Sequence, residues 1–147
     1  MDSLKIGSIV LSIWSGLNFF PSLYVVIDIL FLGEHPPGLY AILSAEDIQS
    51  MSPEMLATVD SIGLFANLSV AALNALILIA IWKGLNNRTV WVYWALLVAS
   101  IFALLAGVAA DYAVDFAFPE VNTVSALILA LGFIFSGIGL FNQVDKK

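Results

Sequence analysis

The chain has 147 residues, of which 61 % are hydrophobic and 11 % are charged, and its formal net charge is −6. A soluble domain carries about a quarter charged residues, so this composition excludes an ordinary soluble protein and predicts an integral membrane protein. The absence of cysteine excludes disulfides, thiolate metal sites and thiol nucleophiles.

Four stretches without a charged residue, at positions 6–27, 61–82, 89–110 and 121–142, are each long enough to cross a bilayer as a helix. They predict an all-α, single-domain bundle of four transmembrane helices. We place these helices at residues 5–30, 53–84, 89–113 and 119–142, with an outer loop at residues 31–52. A signal peptide is the alternative for the first stretch, but the stretch is too long and lacks a small-residue cleavage pattern before Asp28.

The charges are divided between the two sides of the bilayer. Threading the four spans places every basic residue on one side, which the positive-inside rule makes cytoplasmic, with both termini inside. These residues are Lys5, Lys83, Arg88, Lys146 and Lys147. The other side receives nine acidic residues: Asp28, Glu34, Glu46, Asp47, Glu54, Asp60, Asp111, Asp115 and Glu120. This pattern predicts a multi-pass protein of the cell membrane with an acidic outer face.

One arc of the first span is polar. At about 100° per residue its members lie within about 120°, which predicts a side that faces other helices. They are Ser8, Ser12, Ser15, Asn18 and Ser22. Pro21 lies in the same span and removes a backbone hydrogen bond, which predicts a kink in the outer third of the helix.

The outer loop begins at residues 33–38, where prolines and glycines argue against regular helix. Ser44 and Asp47 then have the spacing of a capping box, which predicts a short amphipathic helix over residues 45–51 that lies along the membrane interface. The sequence Ser52-Pro53-Glu54 predicts that the second transmembrane helix begins near Pro53.

A polar stripe runs down the second span, where Asp60, Asn67 and Asn74 are spaced seven residues apart. An amide in hydrocarbon needs a hydrogen-bonding partner. Asn67 and Asn74, with Asn18 on the first span, therefore either join helices by hydrogen bonds or line a track for water, protons or a head group below Asp60.

The third and fourth spans carry small residues at positions that let helices approach closely. The first row is Ala99, Ala103, Gly107 and Asp111. The second row is Ser125, Gly132, Ser136 and Gly139. Both rows predict tight helix contacts, and the partner is a helix of the same chain or of another subunit.

Carboxylates at the ends of the spans form a candidate site on the outer face. Its residues are Asp28, Glu34, His35, Asp60, Asp111 and Asp115, with Glu120 at a matched depth. Oxygen ligands with one imidazole suit Ca²⁺, Mg²⁺ or Mn²⁺ better than Zn²⁺, and close carboxylates can share a cation or a proton. The alternative is an acidic rim, which follows from the topology and from helix dipoles alone.

Three functions fit these patterns. The first is a non-enzymatic protein that acts through helix contacts as an accessory, scaffolding or self-associating subunit, with the lipid bilayer and other subunits or a second copy as partners. The second is a cation- or proton-linked conduit or sensor at the outer carboxylates. The third is a binder of a lipid-like ligand such as a quinone, sterol or pigment. Five scattered basic residues make no nucleic-acid footprint. One histidine without cysteine argues against a nucleophile–base pair and leaves only aspartate-based catalysis open.

Overall fold

The structure of the chain is a computed structural model that describes residues 2–113 and 119–142. The side chains of residues 41, 110–113, 119 and 120 lie outside that description. Within the described residues the chain is almost entirely helical and contains no strand.

Six helices follow one another within residues 2–113 and 119–142. They are α1 (Ser3–Ile27, continued by a π-helical turn at Asp28–Leu32), α2 (Pro37–Ile42), α3 (Ala45–Ser50), α4 (Pro53–Ala80, continued by a π-helical turn at Ile81–Leu85), α5 (Val90–Ala113) and α6 (Pro119–Phe141). Four apolar helical segments of the described residues are long enough to cross a membrane: Ser3–Leu32, Pro53–Leu85, Val90–Ala109 and Val121–Phe141. The prediction of an all-helical protein with four such helices is therefore confirmed.

The short helices begin where local chemistry favours it. Ser44 caps α3, because its hydroxyl accepts from the backbone N–H of Asp47 while the Asp47 carboxylate accepts from the backbone N–H of Ser44. The expectation that residues 33–38 contain no helix is wrong at their end. Pro37 opens α2 as its first residue, a position at which proline loses no helical hydrogen bond.

The backbone packing divides the chain into two compact units. One unit comprises residues 1–16 and 75–147, and the other comprises residues 17–74. The first unit has an apolar core to which the beginning of α1, the end of α4, α5 and α6 all contribute. Its buried residues are Leu4, Leu11, Trp14, Ile77, Ile81, Leu85, Val92, Leu96, Leu129, Phe133 and Leu140.

In the first unit, α1 and α6 approach each other through small residues. A Cβ atom on Gly7 would collide with Ser136, and one on Gly139 would collide with the backbone of Leu4. Gly132 in turn lies against the side chain of Leu11. The small-residue row of the fourth span therefore packs on a helix of the same chain, as such rows do between membrane helices.

Aromatic residues surround the start of α5. The ring of Tyr93 meets the rings of Phe133 and Phe141 edge-on, at centroid distances of 5.6 and 5.5 Å, while the Trp82 and Trp91 side chains are exposed. Tryptophans at one end of a set of apolar helices are typical of the edge of a bilayer.

Candidate functional site

Residues 33–36 join the π-helical turn after α1 to α2, and we name this segment the strap. Gly33 has φ of 69°, a left-handed conformation that glycine adopts without steric cost. Its backbone N–H donates to the carbonyl oxygen of Asp28, and the N–H of Glu34 donates to the same oxygen at 3.3 Å. The chain therefore turns sharply at Gly33 and leaves α1 in a new direction.

The strap brings His35 to α4. The Nδ1 atom of His35 lies 2.8 Å from Oδ1 of Asp60. This distance is that of a hydrogen bond, and the tautomer of the imidazole decides which partner donates. The two side chains are 24 % and 27 % exposed, which leaves the contact partly shielded from water. The structure thus joins two residues of the predicted outer site.

A second contact fixes the strap one helical turn further along α4. Pro36 is buried, and a Cβ atom on Gly63 would collide with its ring. The same Cβ would lie 3.7 Å from Cδ1 of Ile29. The strap is therefore held on α4 by one polar contact, through Asp60, and one apolar contact, through Gly63.

Asp28 lies in the same neighbourhood and is the most buried acidic residue of the described part of the chain. It is 8 % exposed, and its Oδ1 atom has no hydrogen-bond partner there. The following residue, Ile29, faces Gly63 together with Pro36. Asp28 also begins a π-helical turn, an irregularity that is frequent at functional sites.

Of the remaining residues of the predicted outer site, only Glu34 has a described side chain. Glu34 is exposed. The side chain of Asp111 and all of Asp115 lie outside the described residues, so their role stays a prediction. Across residues 2–113 and 119–142, no three His, Asp or Glu side chains are grouped so as to hold a metal ion.

The asparagines of the polar stripe bond to their own helix. The side-chain amide of Asn67 donates to the carbonyl oxygen of Gly63, and that of Asn74 to the carbonyl oxygen of Val70, both at 2.9 Å. Asn74 is buried and Asn18 is half-buried, and each makes further interactions. These bonds use part of the hydrogen-bonding capacity of each amide. They are compatible with both predicted roles of the stripe, joining helices or lining a track for water, protons or a head group.

Sequence reasoning missed Gly63. A glycine inside a helix costs about 1 kcal/mol relative to alanine, and this cost is the signal that another segment packs closely at that position. The cost alone does not identify the segment, because Pro36 lies 27 positions away along the chain.

No protein family, no curated protein and no solved structure matches the chain. Its function must therefore be argued from its own residues.

Proposed function

We propose that the chain is a non-enzymatic, multi-pass protein of the cell membrane that associates with a second copy of itself through one face of α5. Both termini are cytoplasmic in this proposal, and α3 lies along the outer membrane interface. The observation that carries the proposal is the exposure of Gly107 within the apolar helix α5.

The face around Gly107 is built from small residues. At about 100° per residue, Ala99, Ala103, Ala106 and Gly107 lie within an arc of about 100° on α5. Ala106 and Gly107 are exposed, while Ala99 and Ala103 are half-buried. Ala110 falls on the same arc by sequence. The small-residue arc is therefore half-buried near Ala99 and exposed at Gly107, closer to the end of the helix.

Gly107 differs from the glycines of α1 and α6. In the part of the chain that the structure describes, a Cβ atom at Gly107 would meet nothing within 4 Å, whereas one at Gly7, Gly132 or Gly139 would meet a neighbouring helix. Glycine in a helix interior costs about 1 kcal/mol relative to alanine. Contacts within the described residues do not offset that cost at Gly107, so a contact with another molecule supplies the explanation.

A second copy is the partner that fits this face best. Lipid gives no hydrophobic drive for helix association, so close backbone approach is the main source of affinity between membrane helices. Two identical flat faces are self-complementary about a two-fold axis, the commonest symmetry of oligomers. The α1–α6 contact supports this reasoning, because it uses glycine and serine in the same way within one chain.

The experiment is a comparison of two leucine substitutions on α5. Gly107→Leu fills the proposed contact, whereas Ala109→Leu adds bulk at an exposed position about 160° from Gly107 around the helix. Native mass spectrometry in mild detergent and cross-linking in vesicles report the dimer. We expect the dissociation constant of the dimer to rise at least about tenfold in Gly107→Leu, a loss of about 1.4 kcal/mol, and to stay unchanged in Ala109→Leu.

Two results would overturn the proposal. One is a wild-type chain that stays monomeric at all concentrations and purifies with no other protein. The other is a dimer that both variants preserve. Purification of the wild-type monomer with a different membrane protein, lost in Gly107→Leu, would replace self-association by an accessory role.

A further inference from the structure

We infer that the first turns of α4 carry a binding groove for a phospholipid whose head group ends in an ammonium group. The groove has a volume of about 450 Å³ and is lined by Ala57, Thr58, Ser61, Ile62 and Phe65, and we name it the α4 groove. The inference does not depend on self-association through α5, because the α4 groove lies in the unit formed by residues 17–74 and α5 lies in the other unit.

The α4 groove is a recess of small side chains beside two large apolar ones. Ala57 and Ser61 are small, whereas Phe65 stands at the far end of the groove and Ile62 at one edge. The side chains of Phe65 and Ile62 are 75 % and 64 % exposed, so both are free to contact a bound molecule. The volume falls within the range of about 300–1,000 Å³ that is usual for small-molecule sites.

The hydroxyl groups of the α4 groove are already used within the helix. The hydroxyl of Thr58 donates to the carbonyl oxygen of Glu54 at 2.8 Å, and that of Ser61 donates to the carbonyl oxygen of Ala57 at 2.7 Å. Each hydroxyl has a single proton to donate, so neither offers a donor to a ligand. The groove therefore presents mainly methyl groups, methylene groups and one aromatic ring, which suit an apolar chain better than a polar molecule.

The position of the α4 groove along the helix matches the boundary between lipid chains and head groups. The uncharged stretch of the second span begins at Ser61, in the middle of the groove. The groove extends from Ala57 to Phe65, which is about 12 Å at a rise of 1.5 Å per residue. This length accommodates the upper part of an acyl chain, and it places the head group beyond Ala57.

The charge around this end of the α4 groove favours a cationic head group. Glu54 is exposed, lies one helical turn before Thr58, and falls between Ala57 and Thr58 around the helix axis. Side chains of a helix lean towards its N-terminus, so the Glu54 carboxylate extends away from the groove towards the head groups. Residues 17–74 contain no lysine or arginine. The carboxylate can therefore form a charge-assisted hydrogen bond with an ammonium group, whereas an anionic head group finds no basic side chain of this unit.

The head group is tested by native mass spectrometry of the full chain in detergent. The protein is titrated with phosphatidylethanolamine and, separately, with phosphatidylglycerol of the same acyl chains. We expect the Kd for phosphatidylethanolamine to be at least about fivefold lower. Glu54→Gln should bring the two Kd values together, because it removes the charge and keeps the size of the side chain. Glu46→Gln, which changes an exposed acidic residue of α3, is the control and should preserve the difference.

The acyl chain is tested by filling the α4 groove. Ser61→Leu places a large side chain in the recess, whereas Ala66→Leu adds bulk at an exposed position about 140° from Ser61 around the helix. We expect the Kd for phosphatidylethanolamine to rise at least about fivefold in Ser61→Leu and to stay within twofold in Ala66→Leu. Circular dichroism checks that helix content is kept, and Ala57→Leu takes the place of Ser61→Leu if that variant loses it.

Three results would overturn the inference. Equal Kd values of the wild type for the two lipids would remove the role of the ammonium group. A difference that persists in Glu54→Gln would remove the role of that carboxylate. Equal weakening of phosphatidylethanolamine binding by the groove-filling variant and by Ala66→Leu would show that lipids contact α4 on all sides and that the α4 groove is not a site.

Discussion

Arg88 and Asp2 form an ion pair that joins two distant parts of the first unit. The Nη2 atom of Arg88 donates to Oδ2 of Asp2 at 2.7 Å, and Nη1 donates to the carbonyl oxygen of Gly139 at 3.0 Å. The other carboxylate oxygen of Asp2 accepts from the backbone N–H of Leu4 at 3.2 Å. One guanidinium thus ties the start of α1, the turn after α4 and the end of α6, where a positive charge also favours the helix dipole.

This pair should make a small, salt-sensitive contribution to stability. Both side chains are more than a third exposed, which limits the ion pair to about 1 kcal/mol or less, and the bond to Gly139 adds about 1 kcal/mol. Arg88→Asn is the suitable variant, because Arg88 has φ of 60° and asparagine tolerates that conformation. We expect a loss of about 1–2 kcal/mol in reversible unfolding in detergent.

A double-mutant cycle of Arg88→Asn with Asp2→Asn isolates the pair. The coupling energy should be below about 1 kcal/mol and should decrease as salt is added. Lys83→Asn is the control, because Lys83 is exposed and forms no ion pair with the described residues. Zero coupling at low salt would show that the pair does not form in solution.

Alanine substitutions at two glycines should have opposite effects. Gly139→Ala places a methyl group against the backbone of Leu4, which cannot move aside as a flexible side chain can. We expect a loss of about 1–3 kcal/mol, the usual cost of overpacking. Gly107→Ala meets none of the described residues within 4 Å and should stabilise the helix of the monomer by up to about 1 kcal/mol. The free energies of unfolding of both variants are compared at high detergent concentration, where subunits separate. Equal destabilisation by the two substitutions would contradict the described α1–α6 contact.

The four long helices could be predicted from the sequence because lipid imposes one rule on every span. An uncharged stretch of the right length must be helical to satisfy its backbone, and caps such as Ser44 and Pro53 are local signals. The start of α2 at Pro37 was missed, since proline and glycine exclude helix interiors and yet are compatible with a first turn.

The candidate site could be predicted only as a list of residues. Sequence spacing placed Asp28, His35 and Asp60 near one membrane face, but contact between His35 and Asp60 depends on the turn at Gly33 and on the room that Gly63 leaves for Pro36. Such pairings join positions far apart along the chain, and no helical period encodes them. The same holds for the small-residue rows, where periodicity reveals a face but not its partner.

The capping box of α3 should make that helix sensitive to acid. Hydrogen bonds from the hydroxyl and then the backbone N–H of Ser44 hold the pKa of Asp47 below the ordinary value of 3.8. Because the folded pKa is depressed, the box stabilises α3 fully above the unfolded value and loses its effect as pH falls through the folded pKa. Ser44→Ala should return the pKa of Asp47 towards 3.8. Carboxyl NMR titration measures this change, with Glu46→Gln as the control, and an unaltered Asp47 titration in Ser44→Ala would contradict the role of the box.

The proposed topology predicts which positions an impermeant thiol reagent reaches in intact cells. Glu46→Cys in α3 and Asn87→Cys in the turn after α4 are both exposed positions, and each variant has a single thiol because the chain has no cysteine. Confinement of the basic residues to the cytoplasm predicts rapid labelling of Glu46→Cys and no labelling of Asn87→Cys until the membrane is permeabilised. Solubilised protein should label at both positions, which controls for local reactivity. Labelling of Asn87→Cys alone in intact cells would show that the topology is the reverse of the one proposed. Equal labelling of the two variants in intact cells would contradict an odd number of membrane crossings between residues 46 and 87.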